Sequence, residues 1–228
     1  MAAADRLAVV TGAGRGFGRA VAEALTDQGR RVVACVRTRP ATGKAGLQVV
    51  VQDVRDPVGT ELLAAIGDRP VDALINNAGV GAKATPPAGV DPRQILDALD
   101  VNMAGTLRLT QALLPALTAA PDPVIVNVSS RLGSLTAQAE GEFATRRTSY
   151  AYRISKAAQN MLTITLAQES AGRVHCWAVH PGSLTTAMGA TDATTPAGEA
   201  ALRLVDLLNS PDPASPRFVS LDGPDLRW

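Results

Sequence analysis

Hydrophobic positions in this chain gather into short, nearly unbroken runs separated by segments of helical spacing. RLAVVT (6–11), RVVACV (31–36), LQVVV (47–51), VDALI (71–75), PVIVNVS (123–129), RVHCWAV (173–179) and RFVSL (217–221) are too short for helices and read as strands. Between the first two, residues 17–29 place Val21, Ala24 and Leu25 on one face and stop at Gly29. A helical segment follows near 57–66. Asp91 and Pro92 then read as the N-cap and first residue of a long helical region running to Leu117, with a bend expected near Pro115. Residues 150–171 form a strong amphipathic helix, and 197–208 a shorter one. Apolar runs without alternation belong to strands buried on both faces, as in a parallel sheet covered by helices on either side. No repeat or low-complexity linker interrupts the pattern, which predicts one doubly wound α/β domain over residues 1–228.

Composition narrows the range of functions. With 46% hydrophobic and 19% charged residues, the chain has ample material for a core. Its 22 Lys+Arg against 21 Asp+Glu leave a net charge of +1, so it offers no electrostatic footprint for nucleic acid or an anionic membrane. Aromatic residues, at 3%, are too few for a base-stacking surface. No apolar run reaches the roughly 18 residues of a membrane span, and Met1–Arg6 lacks the layout of a signal peptide. Cys35 and Cys176 stand singly in apolar runs and read as reduced core thiols. No CxxC or HExxH pairing supports a metal site. The expectation is a soluble cytoplasmic domain without metal.

Candidate chemistry begins where the first strand runs into Thr11-Gly12-Ala13-Gly14-Arg15-Gly16-Phe17-Gly18. Glycines at a strand-to-helix turn let the backbone approach a pyrophosphate at the helix N-terminus. The spacing is TGxxxGxG, which is neither GxGxxG nor a P-loop, and a merely glycine-rich turn is the competing reading. At the end of the second strand, an acid would hold the two ribose hydroxyls of NAD, whereas a 2′-phosphate calls for a cation. Here stand Arg37, Thr38 and Arg39, and Arg15 adds a third positive charge in the glycine loop. NADP(H) is therefore favoured over NAD(H), the alternative being solvated surface arginines.

Tyr152 and Lys156 lie four apart and share one face of the 150–171 helix. A nearby ammonium stabilises a phenolate and brings its pKa toward the working range, which suits a Tyr to acid–base chemistry. Taken alone, such a pair is common. In order along the chain stand TGAGRGFG (11–18), Asp53-Val54, Asn76-Asn77-Ala78-Gly79, Val101-Asn102, VNVSS (126–130), YRISK (152–156) and PGSLTT (181–186). Together they closely resemble the single-domain short-chain dehydrogenase/reductase family over nearly the whole chain. YRISKAAQNML, VHPGSLTTAMG and LDGPDLRW are most similar to carbonyl reductases of the C-signal and sniffer type.

The resemblance implies a Rossmann-like sheet of about seven strands in the order 3-2-1-4-5-6-7. It also implies an NADP(H)-dependent oxidoreductase acting on a ketone or aldehyde, or on the alcohol in reverse. Tyr152 would be the general acid, Lys156 would hold the nicotinamide ribose and lower the Tyr pKa, Ser130 would orient the substrate oxygen, and Asn102 would hold a relay water. Gly12, Arg15, Gly16, Phe17, Gly18 and Arg37 would take the cofactor's phosphates, with Asp53 and Val54 at its adenine. Asn77, Ala78 and Gly79 would line its cleft, and Pro181, Gly182, Leu184 and Thr186 its nicotinamide side. Ser129 competes with Ser130 for the substrate-side role. Tyr150 reads as a cleft wall, and His175 and His180 as structural.

Ser130 and Tyr152 are 22 positions apart, farther than in the family's simplest members, and the polar stretch 131–149 supplies the extra residues. It is expected at the substrate mouth, with a solvated insertion as the alternative. If it covered the long helices it would block helix pairing, so a monomer or homodimer is expected over a tetramer. The segment after Thr186 predicts a short lid. Two competing functions remain on the same fold: a cofactor-binding regulator with little catalysis, and an epimerase or dehydratase using bound nicotinamide.

Overall fold

Seven parallel strands form one sheet in the order β3-β2-β1-β4-β5-β6-β7. They are β1 (Leu7–Thr11), β2 (Arg31–Val36), β3 (Leu47–Val51), β4 (Ala73–Asn76), β5 (Val124–Val128), β6 (His175–His180) and β7 (Arg217–Ser220). The computed structural model describes residues 6–39, 46–186, 193–210 and 214–228. Every residue of β1, β4 and β5 is buried, as the unalternating apolar runs require, whereas at the two edges β3 buries only Val50 and β7 only Phe218 and Val219. The fold class read from the pattern is thus the one observed, and so is the strand order that the resemblance implies.

The helices are α1 (Gly16–Asp27), α2 (Thr60–Ile66), α3 (Pro92–Leu99), α4 (Gly105–Thr118), α5 (Leu135–Ala139), α6 (Tyr150–Ser170) and α7 (Ala197–Asn209). One layer buries Phe17, Val21 and Leu25 of α1 and Leu204 and Val205 of α7 against the sheet. The opposite layer buries Leu62 of α2, Leu109, Leu113 and Leu117 of α4, and Ala167 of α6. Burying such side chains supplies about 1.5–3 kcal/mol each, before the entropy of ordering them.

Asp91 and Pro92 cap and start α3 as expected, the Asp91 carboxylate accepting from the Arg93 N–H at 2.9 Å. The long helix does not depart from regularity at Pro115, which sits in the last turn of α4. It departs at Asp100–Ala104, where the backbone widens into a π-helical turn. That turn carries Asn102. The stretch 131–149 is packed in part, with a 3₁₀ turn at Arg131–Gly133, α5, and a small core of Leu132, Ala137 and Phe143 against Tyr152, while 139–142 and 144–147 are exposed. It leaves Leu96, Ile154 and Met161 exposed on α3 and α6, so it does not cover that helical face.

Candidate active site

The carboxyl ends of β1, β4, β5 and β6 bring together most of the motif residues. β1 ends at Thr11, whose hydroxyl accepts from the backbone N–H groups of Asn77 and Ala78, both at 3.0 Å. The Asn77 amide donates to the carbonyl oxygens of Thr11 at 2.9 Å and Gly12 at 3.3 Å. The two strand ends are thereby tied together under the glycine turn. Glycine is required there for space: a Cβ on Gly18 would lie 2.1 Å from Asn77 Nδ2, and one on Gly12, at φ +63°, 2.8 Å from Ala78 Cα.

This turn fits a dinucleotide. The N-terminus of α1 has no side-chain cap and no acidic residue in its first turn, leaving the amides around Gly16, Phe17 and Gly18 for an anion. Arg15 and Arg37 are exposed, and neither has a hydrogen-bond or ion-pair partner among the described residues. Arg39 differs from them. It donates to Glu61 Oε1 at 2.5 Å and to the Val49 carbonyl at 2.9 Å, so its charge is already matched. The concentration of three cations read from the sequence is therefore two.

Asp53 accepts from the Arg55 N–H at 3.0 Å in its own turn, and Val54 is buried against Gly105, where a Cβ would lie 2.8 Å from Val54 Cγ2. Asn102 is fully buried. Its amide bridges both sides of Val80, accepting from the N–H at 2.8 Å and donating to the carbonyl at 2.9 Å, and also donates to Ser155 Oγ at 2.8 Å. Its carbonyl oxygen accepts from the Thr106 hydroxyl at 3.0 Å. Asn102 thus shapes the wall at Gly79 and Val80.

Ser129 and Ser130 separate cleanly. Ser129 Oγ donates to Asn160 Oδ1 at 2.6 Å and is engaged in the core, whereas Ser130 Oγ accepts from the Leu132 N–H at 3.2 Å and lies close enough for its hydroxyl to act on the Tyr152 phenol. α6 presents Tyr152 and Lys156 one turn apart, its N-terminus capped by Ser149 Oγ, which accepts from the Tyr152 N–H at 3.1 Å. Lys156 Nζ lies 5.8 Å from the centre of the Tyr152 ring. The ammonium is turned inward, donating to the Val128 carbonyl at 2.7 Å and to Gln159 Oε1 at 2.9 Å. Burial holds its pKa down at about 7. Burial also raises the Tyr152 phenol, and the Ser130 hydrogen bond only partly offsets this. The ammonium thus stands beside the Tyr152 ring while its hydrogen bonds go to Val128 and Gln159.

Pro181, Gly182, Leu184 and Thr186 follow β6. Thr186 lies 3.6 Å from where a Cβ on Gly16 would stand, which brings this segment to the glycine turn. Gly182, at φ +90°, is approached by Asp222, whose carboxylate would lie 2.9 Å from a Cβ. The expected lid falls on residues 187–192, outside the described residues. Its two ends are joined, the Thr185 N–H donating to the Thr195 carbonyl at 3.0 Å. Among the described residues no group of His, Cys, Asp or Glu is arranged to hold a metal. No helix among them is long and apolar enough to cross a membrane.

Residues 6–197 match the family model for short chain dehydrogenase. The chain belongs to that family. It is 37% identical over 163 residues to the C-signal protein of Myxococcus xanthus, covering 70% of this chain and 93% of that one. The structure matches the carbonyl reductase Sniffer of D. melanogaster with a TM-score of 0.84 at 25% identity, covering 98% of this chain and 99% of that one. It matches an NADPH-bound carbonyl reductase from chicken fatty liver with a TM-score of 0.85 at 26% identity, with the same coverage. The likeness to C-signal and sniffer-type proteins read from the motifs is borne out, and the chain is an oxidoreductase of the short-chain dehydrogenase/reductase family.

Sequence reasoning passed over several residues that build this site. Gln159 and Thr106 continue the buried polar path from Lys156, Gln159 Nε2 donating to Thr106 Oγ1 at 3.1 Å. Gly133 lets the 3₁₀ turn after Ser130 lie against α6, since a Cβ there would be 2.8 Å from the Lys156 carbonyl carbon. A Gln three positions after Lys156, and so on the same face of the helix, was the available signal for the first. His180 is buried with its pKa held at about 4, mainly by desolvation; Asp222 opposes this, and Arg131 and Arg146 add to it.

Proposed function

We infer that the protein is an NADP(H)-dependent reductase of a ketone or aldehyde, able to run in reverse on the alcohol. The observation that carries this reading is the Ser130–Tyr152 hydroxyl pair, standing beside Lys156 at the carboxyl ends of the strands. The glycine turn and the uncapped start of α1 would hold the cofactor's pyrophosphate, with Gly12, Gly16, Phe17 and Gly18 forming the cradle. Arg15 and Arg37 would meet a 2′-phosphate, which supports NADP(H) over NAD(H). Asp53 and Val54 would border the adenine, Asn77, Ala78 and Gly79 the cleft, and Pro181, Gly182, Leu184 and Thr186 the nicotinamide end. The bound nicotinamide supplies the hydride.

The protein's own side chains supply position and a proton. Ser130 donates to the carbonyl oxygen and fixes its direction, and Tyr152 passes its phenolic proton to that oxygen as the alcohol forms. The raised phenol pKa keeps Tyr152 protonated in the direction of reduction. Lys156 acts beside it as a cation held by Val128 and Gln159, and Asn102 fixes the wall at Val80. A relay water would find its acceptor in the second lone pair of the Asn102 carbonyl. Cofactor and substrate sites share one sheet in a single domain, placed in the cytoplasm with its thiols reduced. A monomer or homodimer is the assembly this reading favours, and a tetramer by light scattering would count against it.

The decisive experiment follows NADPH oxidation against a panel of ketones and aldehydes, then repeats it with Tyr152→Phe. Turnover should fall by about 10²–10⁴ while NADPH binding persists. Full turnover in the variant would sink the mechanism. Tight NADPH binding without turnover of any carbonyl would favour a regulatory protein.

A further inference from the structure

A cavity of about 410 Å³ opens beside the cleft, between the chain at Thr85–Pro87 and the start of α6. Its lining includes Arg146, Arg147 and Arg153 together with Thr148 and Tyr150, and no carboxylate. Tyr152, the proposed acid, follows Tyr150 by two residues and precedes Arg153 on α6. Gly81, only a few residues before Thr85, stands where a Cβ would lie 3.8 Å from the Tyr152 ring. The cavity thus shares the start of α6 and the chain that follows Gly81 with Tyr152, which is not itself among the lining residues.

Among the described residues the three guanidinium groups have no carboxylate counterion. Arg153 donates to neutral acceptors: the Thr148 hydroxyl, Gln138 Oε1 at 3.0 Å, and the carbonyl oxygens of Phe143 at 3.4 Å and Arg146 at 2.6 Å. Its fork ties down the loop that carries Arg146 and Arg147. Glu140, the acid on the neighbouring helix, is ion-paired to Arg227, and the charge of Glu142 also acts on Arg227. The guanidinium groups of Arg146 and Arg147 have no hydrogen-bond or ion-pair partner among the described residues. The field of Arg146 reaches inward far enough to help hold His180 neutral. Three like charges around one concavity repel each other, and field lines focus there in favour of an anion.

Resting on the reductase reading, we propose that this cavity holds an anionic group, carboxylate or phosphate, at the end of the substrate remote from its carbonyl. Planar guanidinium forks match either group in a bidentate manner. The site is separate from Arg15 and Arg37, which lie at the β1 and β2 side of the sheet.

The test compares 4-carboxybenzaldehyde, 4-formylphenyl phosphate and methyl 4-formylbenzoate as substrates with NADPH. One or both anionic aldehydes should exceed the ester in kcat/KM by about tenfold, and the better of the two identifies the group. The ratio should fall toward one in Arg146→Gln/Arg147→Gln, and also at about 0.5 M salt. Equal use of all three aldehydes, or a preference untouched by the double substitution, overturns the proposal. So does inhibition by the anion that is competitive with NADPH rather than with aldehyde. Calorimetric binding of unreactive 4-methylbenzoate against its methyl ester gives a readout independent of turnover. Arginine-dependent binding of the acid with no turnover of any aldehyde supports the anion site and defeats the reductase reading. No preference for the acid in binding overturns the site whatever the turnover.

Discussion

Gln159 Oε1 accepts a hydrogen bond from Lys156 Nζ at 2.9 Å, and both side chains are buried within α6. With the Val128 carbonyl, this contact is what keeps an ammonium tolerable where burial alone drives its pKa down to about 7. Gln159→Leu, nearly equal in volume, removes one of the two acceptors. The ammonium then releases its proton at lower pH, and the pH above which kcat/KM declines should move down. Gln159→Glu should move it up, because a carboxylate stabilises the cation. At neutral pH the Leu variant should lose roughly tenfold in kcat, as expected for a hydrogen bond to a charged group. A pH–rate profile identical to wild type in both variants would show that Gln159 only fills space.

The burial of Lys156 has a consequence for stability. Its pKa is about 7 in the folded protein against 10.5 ordinarily, so between those values the unfolded chain holds a proton that the folded chain has lost. Stability from this group therefore rises with pH from about 7 to about 10.5 and is lost below that window. Lys156→Met lacks the proton. The difference in Tm, variant minus wild type, should be most favourable to the variant near about pH 6 and shrink toward about pH 10, on the order of a few kcal/mol in all. A difference constant with pH would contradict the buried-lysine assignment.

Gly18 and Gly14 stand four apart in the same turn and should respond oppositely to a methyl group. A Cβ on Gly18 would meet Asn77 Nδ2 at 2.1 Å and the Gly12 carbonyl oxygen at 2.6 Å, whereas on Gly14 the nearest atom is Val36 Cγ1 at 3.7 Å. Gly18→Ala should cost about 1–3 kcal/mol and weaken NADPH binding, because the Asn77 tie must open. Gly14→Ala should change Tm by less than about 1 kcal/mol equivalent. Thermal melts with and without NADPH measure both.

Cofactor preference should rest on Arg37 more than on Arg39. Arg37→Asp places a carboxylate where a 2′-phosphate is expected, and KM for NADPH should rise about tenfold or more while that for NADH falls. Arg39→Ala breaks an exposed pair with Glu61 and should move the NADPH/NADH ratio little. Equal effects of the two substitutions would reassign the phosphate contact.

Much of this was readable along the chain. The strands showed as unalternating runs, Asp91-Pro92 announced a helix start, and the Tyr152–Lys156 spacing placed both residues on one face. Other features were not readable because they join residues far apart in sequence. Arg39 was counted with Arg15 and Arg37 until its pairing with Glu61, 22 positions later, removed it. His175 and His180 had no acid near them in sequence, yet the fold brings Asp122 to 2.9 Å from His175 and Asp222 to the vicinity of His180. The π turn at 100–104 left no trace in the periodicity, since one added residue in a helical repeat barely shifts an apolar stripe.

By itself the sequence determined the α/β layering, which follows from local periodicity, and its motifs carried the resemblance that implies the strand order and the family. Only the tertiary structure decided which serine faces Tyr152, that Lys156 is turned toward Gln159 and Val128, and that Arg146, Arg147 and Arg153 surround one cavity without counterions. Those outcomes depend on which side-chain charges and hydrogen-bonding groups end up within a few ångströms of one another. That distance is set by packing between separate elements, which no single stretch of chain encodes.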